Sequence, residues 1–392
     1  MNRRIIFAHQ DLGGMRALAP VLSQLSELKD FEIYSFSGRS PNGTEKPLPG
    51  NITHESFPME NGFSSEKKLR HAIRTLDPEV IVTATSIQPH SIDKRIHLIA
   101  REANIPCVSI LDYWCRYLDR YSRMQPYEEF AYLPDYIFVM DKFSRKEMIA
   151  EGFRPETLIV TGHPYLAWLY ANKPTLSDDN RTRIRDRYGM NGKTIITFVC
   201  EPSHDMVHNE QYRFPLYEGN GARMVVVLGA FLEVLNDLCG ENADKFLLVN
   251  KLHPNNSLND FQWIDPARYR FRILNLLENE MDKHALVLLS SWVVGMTSMM
   301  LLESIVCGIP SLSIIPQESE KNILMSNRIS EDFLVRNPEE LREFISSWMD
   351  PRVRNHKWKK FQSEIESVIK SPSSALDHIM RIIDTAPGRI SI

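Results

Sequence analysis

Val293-Val294-Gly295-Met296-Thr297-Ser298-Met299-Met300-Leu301-Leu302-Glu303-Ser304-Ile305-Val306-Cys307-Gly308-Ile309-Pro310-Ser311-Leu312-Ser313-Ile314 is the stretch on which the fold turns. It belongs to an uncharged run, 285–302, whose character resumes beyond Glu303 as far as Gln317. Length alone would let such a run cross a membrane. Ser290, Ser291, Gly295, Thr297 and Ser298 interrupt it, however, and Gly308-Ile309-Pro310 breaks any continuous helix. The expectation is therefore a buried strand, a loop, a helix and a second strand. Thr297 and Ser298 would open the helix with hydroxyls and backbone donors, a seat suited to phosphate. Glu303 lies five residues past Ser298, where a carboxylate could grip a ribose diol. An acid within an apolar helix is costly without such a partner.

Outward from this stretch, short β-rich runs alternate with amphipathic runs of helical length. Residues 4–8, 31–36, 80–84, 107–111, 136–140 and 158–160 read as strands with apolar residues on both faces. Between them 15–28, 67–76, 92–103 and 142–151 have helical spacing. The pattern pauses over 171–193 and restarts with strands expected at 194–199, 246–249, 271–274, 286–289 and 311–314. Helices are expected at 221–238, 298–306 and 338–348, and a last helix-prone stretch covers 358–384. Buried strands separated by helices imply parallel sheets covered on both sides. Two doubly wound α/β domains facing a cleft follow: residues 1–172, then 193–350, with 351–392 crossing back to the first. Ligands of such sheets sit beyond the carboxyl ends of the strands.

The 392 residues are 43% hydrophobic and 24% charged, with 46 Lys and Arg against 50 Asp and Glu. That much apolar surface offsets the entropy of folding and excludes general disorder. A formal net charge of −4 disfavours a nucleic-acid partner held by overall basicity. Cys107, Cys115, Cys200, Cys239 and Cys307 are odd in number, widely spaced and without metal-site spacing, so they read as free thiols in a reducing compartment. The apolar stretch after Met1 is too short for a signal peptide. A cytoplasmic setting is expected, with contact at the inner membrane face left open.

Chemistry should lie in the strand-end loops. His9-Gln10-Asp11-Leu12-Gly13-Gly14 precedes a helix; Gly13 and Gly14 would admit close approach of a ligand, and His9 or Asp11 could take a proton from a hydroxyl. Asp11 could equally be a helix cap. The loop from Asp112 to Tyr121 interleaves aromatics with Arg and would suit a ligand wall, although any single aromatic could equally pack in the core. Thr161-Gly162-His163-Pro164 closes the first domain. Glu201 and His204, in Cys200-Glu201-Pro202-Ser203-His204-Asp205, would follow the first strand of the second domain. Lys251 and His253, in Lys251-Leu252-His253-Pro254, could hold phosphate oxygens. Glu278, Glu280 and Asp282 read as a solvated helix surface.

The quoted stretch resembles the donor-nucleotide motif of GT-B glycosyltransferases and sugar-nucleotide enzymes, a Ser/Thr pair, a helix with Glu, then Gly-x-Pro and a strand. Lys251-Leu252-His253-Pro254 is similar to the His-Pro element of capsule-polysaccharide, sialyl and CDP-glycerol transferases. Val160-Thr161-Gly162-His163-Pro164 is similar to the Thr-Gly-Asn-Pro segment that ends the first domain in this superfamily, with His163 in place of Asn. Arg16-Ala17-Leu18-Ala19-Pro20 is loosely similar to the first-loop helix of UDP-N-acetylglucosamine 2-epimerases, whose Arg-Pro-Glu signature is absent here. The resemblance implies two Rossmann-like domains in a GT-B arrangement. It also implies phosphate or nucleotide contacts from His253, Thr297 and Ser298 and a ribose contact from Glu303.

The expected activity is glycosyl transfer from a nucleotide-activated donor, UDP- or CMP/CDP-linked, to a hydroxyl on a glycan, lipid-linked or small-molecule acceptor, in cell-surface polysaccharide or glycoconjugate synthesis. Asp11 or His9 would be the base, with Gly13, Gly14, Glu201, Lys251, His253, Thr297, Ser298 and Glu303 around the donor. Asp-x-Asp is absent, so no metal or other cofactor is expected. The alternatives are a sugar-nucleotide 2-epimerase or hydrolase, and a non-catalytic binding protein of the same fold.

Overall fold

The computed structural model describes residues 3–38, 52–58, 63–201, 223–316, 323–348, 351–370 and 375–385. The expected loop residues Pro202 to Asp205, the first residues of the 221–238 helix and Gln317 fall outside them. The chain divides into two compact units, one of Met1–Trp168 with Val368–Ile392, the other of Leu169–Ser367.

The first unit runs β1 (Arg3–His9), α1 (Leu12–Ser26), β2 (Phe31–Ser37), β3 (Ile52–Ser56), α2 (Phe63–Leu76), β4 (Val80–Thr83), α3 (Ile92–Ala103) and β5 (Cys107–Ile110). It continues with α4 (Tyr117–Tyr121), the hairpin β6 (Arg123–Met124) and β7 (Tyr127–Glu128), β8 (Tyr136–Val139), α5 (Lys142–Ala150), β9 (Leu158–Val160) and α6 (Pro164–Ala171). Its parallel sheet has the order β3-β2-β1-β4-β5-β8-β9. Successive side chains of a strand point to opposite faces, and in β1 both faces are apolar. Ile5 and Phe7 enter one cluster with Leu18, Val21 and Leu22 of α1, while Ile6 and Ala8 enter another with Leu69 and Ile73 of α2 and Ile96 of α3. This two-sided burial is why β1 sits at the centre of the sheet.

The second unit runs α7 (Asp178–Tyr188), β10 (Thr194–Val199), α8 (Arg223–Cys239), β11 (Phe246–Lys251), β12 (Arg272–Leu276), α9 (Lys283–Leu289) and β13 (Trp292–Gly295). Then come α10 (Met299–Val306), β14 (Ser311–Ile314), α11 (Met325–Ile329), β15 (Leu334–Val335), α12 (Pro338–Trp348) and α13 (Pro351–Ile369). Its parallel sheet has the order β12-β11-β10-β13-β14-β15. In each sheet the order reverses beside the first strand, between β1 and β4 and between β10 and β13. These reversals are the switch points at which ligands of doubly wound sheets bind.

Four expectations change. Residues 286–289 are not a strand but the last turn of α9, because Asp282 caps that helix by accepting from the His284 and Ala285 amides; the strand is β13. The pause at 171–193 contains α7, whose charged face is compatible with helix even though it buries no residue. Glu278 and Glu280 lie not on a helix but in the turn between β12 and α9, where Glu280 accepts from the Leu277 amide. The final helical stretch is two helices: α13, and α14 (Ala375–Thr385), whose Ala375 and Ile379 complete the core of the first unit beneath β1 and β4.

Candidate functional site

In the first unit, β1 delivers His9 to the switch point and α1 begins three residues later. The Asp11 carboxylate caps α1, its Oδ1 accepting from the Gly14 amide at 2.9 Å. Gly14 is buried where a Cβ would come within 2.6 Å of Ala84 Cβ, so close packing of α1 on the end of β4 requires glycine there. Gly13 is exposed. A Cβ at Gly13 would lie 3.3 Å from Asp11 Oδ1 and 3.6 Å from Asp112 Oδ2, so the two carboxylates flank that point. His9 is 3% exposed and its Nδ1 has no hydrogen-bond partner among the described residues. Burial, aided by nearby His54, pulls the imidazole down to about 4, so it is neutral at physiological pH.

Asp112 follows β5 and was not among the expected site residues. Its Oδ1 accepts from Thr85 Oγ1 at 2.6 Å and from Arg120 Nη1 at 2.8 Å, and Arg120 Nη1 also donates to Thr85 Oγ1 at 2.7 Å. Arg120 Nε donates to the Cys115 carbonyl, and the guanidinium is buried. The pair thus fixes one carboxylate oxygen and leaves Oδ2 facing Gly13. Beside it, His163 Nε2 lies 3.3 Å from the Asp112 carbonyl, and its ring stacks on Trp114 at 5.5 Å. Gly162, at φ +80, supplies the left-handed turn that lets His163 return to this loop. Trp114 Nε1 donates to Asp141 Oδ2 at 2.6 Å. The aromatics of this loop are therefore largely buried supports: Trp114, Tyr117 and Tyr121 are 0–2% exposed. The signal available in the sequence was a strand-end acid with a cation on the following short helix.

In the second unit, loops after β10, β11 and β13 are tied together. Glu201 Oε1 accepts from the Thr297 amide at 2.8 Å and from Thr297 Oγ1 at 2.5 Å, and the Glu201 carbonyl accepts from Asn256 Nδ2. Ser298 caps α10, its Oγ accepting from the Met300 amide. Lys251 is buried, and its Nζ donates to Glu278 at 2.6 Å and to the Leu277 carbonyl. His253 Nδ1 accepts from the Asn255 amide. Glu303 is 2% exposed, with Lys283 Nζ at 2.6 Å and His284 Nε2 at 3.4 Å. Burial pushes its carboxyl up, but Lys283 and His284 outweigh burial and hold it down to about 2. The expected second-unit residues thus lie around one switch point, with Lys251 covered by Glu278 and Thr297 by Glu201. Among the described residues no helix is long and apolar enough to cross a membrane, and no three His, Cys, Asp or Glu side chains are grouped as a metal site.

Two doubly wound parallel sheets in tandem, with the last helix returned to the first unit, are the GT-B architecture, and solved structures bear this out. A UDP-GlcNAc 2-epimerase from Neisseria meningitidis bound to UDP-GlcNAc is 12% identical, over 98% of this chain and 99% of that one, with a TM-score of 0.64. A glycosyltransferase from Rickettsia africae is 12% identical over 98% of both chains, also at 0.64. HepE from Anabaena, in complex with UDP and glucose, is 12% identical over 98% of this chain and 100% of that one, at 0.61. No protein-family model matches the chain, and no curated protein matches it in sequence.

Proposed function

We propose that this protein is a sugar-nucleotide enzyme that transfers a glycosyl group from a nucleotide-linked donor to an acceptor hydroxyl without a metal. The observation that carries the reading is the ring of oriented donors and cations at the β10/β13 switch point, where Thr297 already holds an anionic carboxylate. An N-terminal amide and hydroxyl that hold a carboxylate have the chemistry to hold a phosphate oxygen. In this reading the second unit is the donor side. Lys251, His253, Thr297 and Ser298 take the phosphates and Glu303 the ribose, by sharing or exchanging the groups that hold them in the free chain. The neighbouring structures, which contain UDP, UDP-GlcNAc or UDP with glucose, support this choice of ligand class.

The first unit is then the acceptor side. Asp112 is the preferred proton acceptor, because Arg120 and Thr85 orient it and one oxygen faces the position flanked by Asp11. Asp11 and His9 are the groups beside it, and Gly13 leaves room for substrate. Preorganised donors at the leaving diphosphate would supply the stabilisation that transfer needs.

Two carboxylates flanking one point also favour a second reading, 2-epimerisation of the bound sugar, which needs acid and base groups around a single ring. Incubation with UDP-N-acetylglucosamine alone separates the readings: the epimer appears for an epimerase, whereas a transferase releases UDP at a useful rate only with an acceptor. A thermal-shift panel of UDP, CDP, CMP, GDP and TDP tests both, and no stabilisation by any of them removes the donor-site assignment.

A further inference from the structure

Outside the two switch points, a run of cations lies in the amino-terminal half of α13. Arg352, Arg354, Lys357, Lys359 and Lys360 place five cations within nine residues, with His356 among them, and the first acid of the helix is Glu364. Lys357, Lys359 and Lys360 are exposed. None of these three makes an ion pair or a hydrogen bond with another described residue. Half-buried cations elsewhere do carry acid partners, as Arg3 does with Glu79, Arg70 with Glu102 and Arg342 with Asp237.

The charge order of α13 also opposes its own stability. A helix favours acids near its amino end and cations near its carboxyl end. Here cations lead, and Glu364 and Glu366 follow. Lys360 precedes Glu364 by four residues, the less favourable orientation of such a pair. In a chain of net charge −4 the exposed Lys357, Lys359 and Lys360 are complementary to an external polyanion.

We infer that this face of α13 docks the protein on a bilayer bearing anionic headgroups. A bilayer suits the face better than a nucleic acid does. The aromatics of the segment, Trp358 and Phe361, are buried against Phe333, so none is presented to stack on a base. A headgroup lattice asks only for clustered cations on one side of a helix. This inference goes beyond the nucleotide reading and does not depend on it.

The test is co-sedimentation of the full chain with phosphatidylcholine vesicles, with and without phosphatidylglycerol. Binding is expected only with the anionic lipid and should weaken steeply as salt is raised from about 0.1 M. The variant K357E/K359E/K360E should lose partitioning by on the order of a hundredfold, from about fivefold per charge removed. K357R/K359R/K360R should bind as the parent does. K29E/K67E/K68E, with the same change in net charge on exposed residues of the first unit, should also bind. Circular dichroism and thermal melting check that every variant is folded. Absence of vesicle binding by the parent overturns the inference, as does equal loss in the two glutamate triples. Binding to single-stranded RNA or self-association through the same lysines, without vesicle binding, overturns it too.

Discussion

Asp93 and Glu303 stand in corresponding helices of the two units, α3 and α10, each following the strand across the switch point, and both are almost fully buried. Their carboxyls are driven in opposite directions. Burial pushes Asp93 up to about 7, with Ser91 and Lys94 opposing only in part, whereas Lys283 and His284 overcome burial and hold Glu303 at about 2. Lys94 spends its ammonium on the Asp119 carbonyl, while Lys283 sits directly on Glu303. Equivalent places in one topology thus carry a readily neutralised acid in one unit and a fixed anion in the other. The same division runs through the neighbouring loops. The first unit uses a buried cation to aim a carboxylate, and the second uses carboxylates to cover cations and donors.

The sharpest way to break this division is Asp112→Asn. Turnover should fall by at least about 100-fold, as for loss of an oriented acid or base, while UDP binding by calorimetry is unchanged. A parallel loss of UDP affinity would mean that the units do not divide the work.

Glu303→Gln tests the second unit's fixed anion. It removes one charge of a buried pair and should lower stability at pH 7 by about 3 kcal/mol in urea denaturation. Because the folded value lies below the ordinary 4.5, the stabilisation is present above about pH 4.5 and is lost as pH falls toward 2. Parent and variant should converge there.

Asp93→Asn should show the opposite pH dependence. The folded value of about 7 lies above the ordinary 3.8, so the parent loses stability as pH rises from about 4 to 7. The variant should be up to about 4 kcal/mol more stable than the parent at pH 8, at about 1.4 kcal/mol for each pH unit between the acid's ordinary and folded values, with the difference vanishing toward pH 4. Thermal melts across that range that stay parallel would refute a buried titrating acid.

The smallest effect is expected for Glu201→Gln. If its carboxylate competes with phosphate for Thr297, neutralising it should tighten UDP binding by about tenfold, one charge-assisted bond's worth. Weaker binding would instead make Glu201 a support for the loop.

Much of the architecture was legible because central strands of parallel sheets are apolar on both faces, as Ile5 to Ala8 are. Residues 286–289 misled because four apolar residues carry no distinguishable period, and the cap that makes them helical lies upstream at Asp282. β3 escaped notice because Ile52-Thr53-His54-Glu55-Ser56 is a polar edge strand, recognisable only by its pairing with β2. The loops of the candidate site were expected from their place after strands. Their electrostatics were not, since the partners of Lys251 and Glu201 lie 27 and 96 residues away. Asp112 and Arg120 are close in sequence, yet the surrounding aromatics gave their loop the look of a ligand wall rather than of a buried charge pair.

The return of α14 sets a timetable for synthesis. The first unit emerges from the ribosome with β1 and β4 made but with Ala375 and Ile379 still to come, about two hundred residues later. At ordinary elongation rates that interval is roughly 10–40 s, longer than most small domains need to fold. The second unit is continuous in sequence and can close first, leaving the older half of the chain to finish its core last.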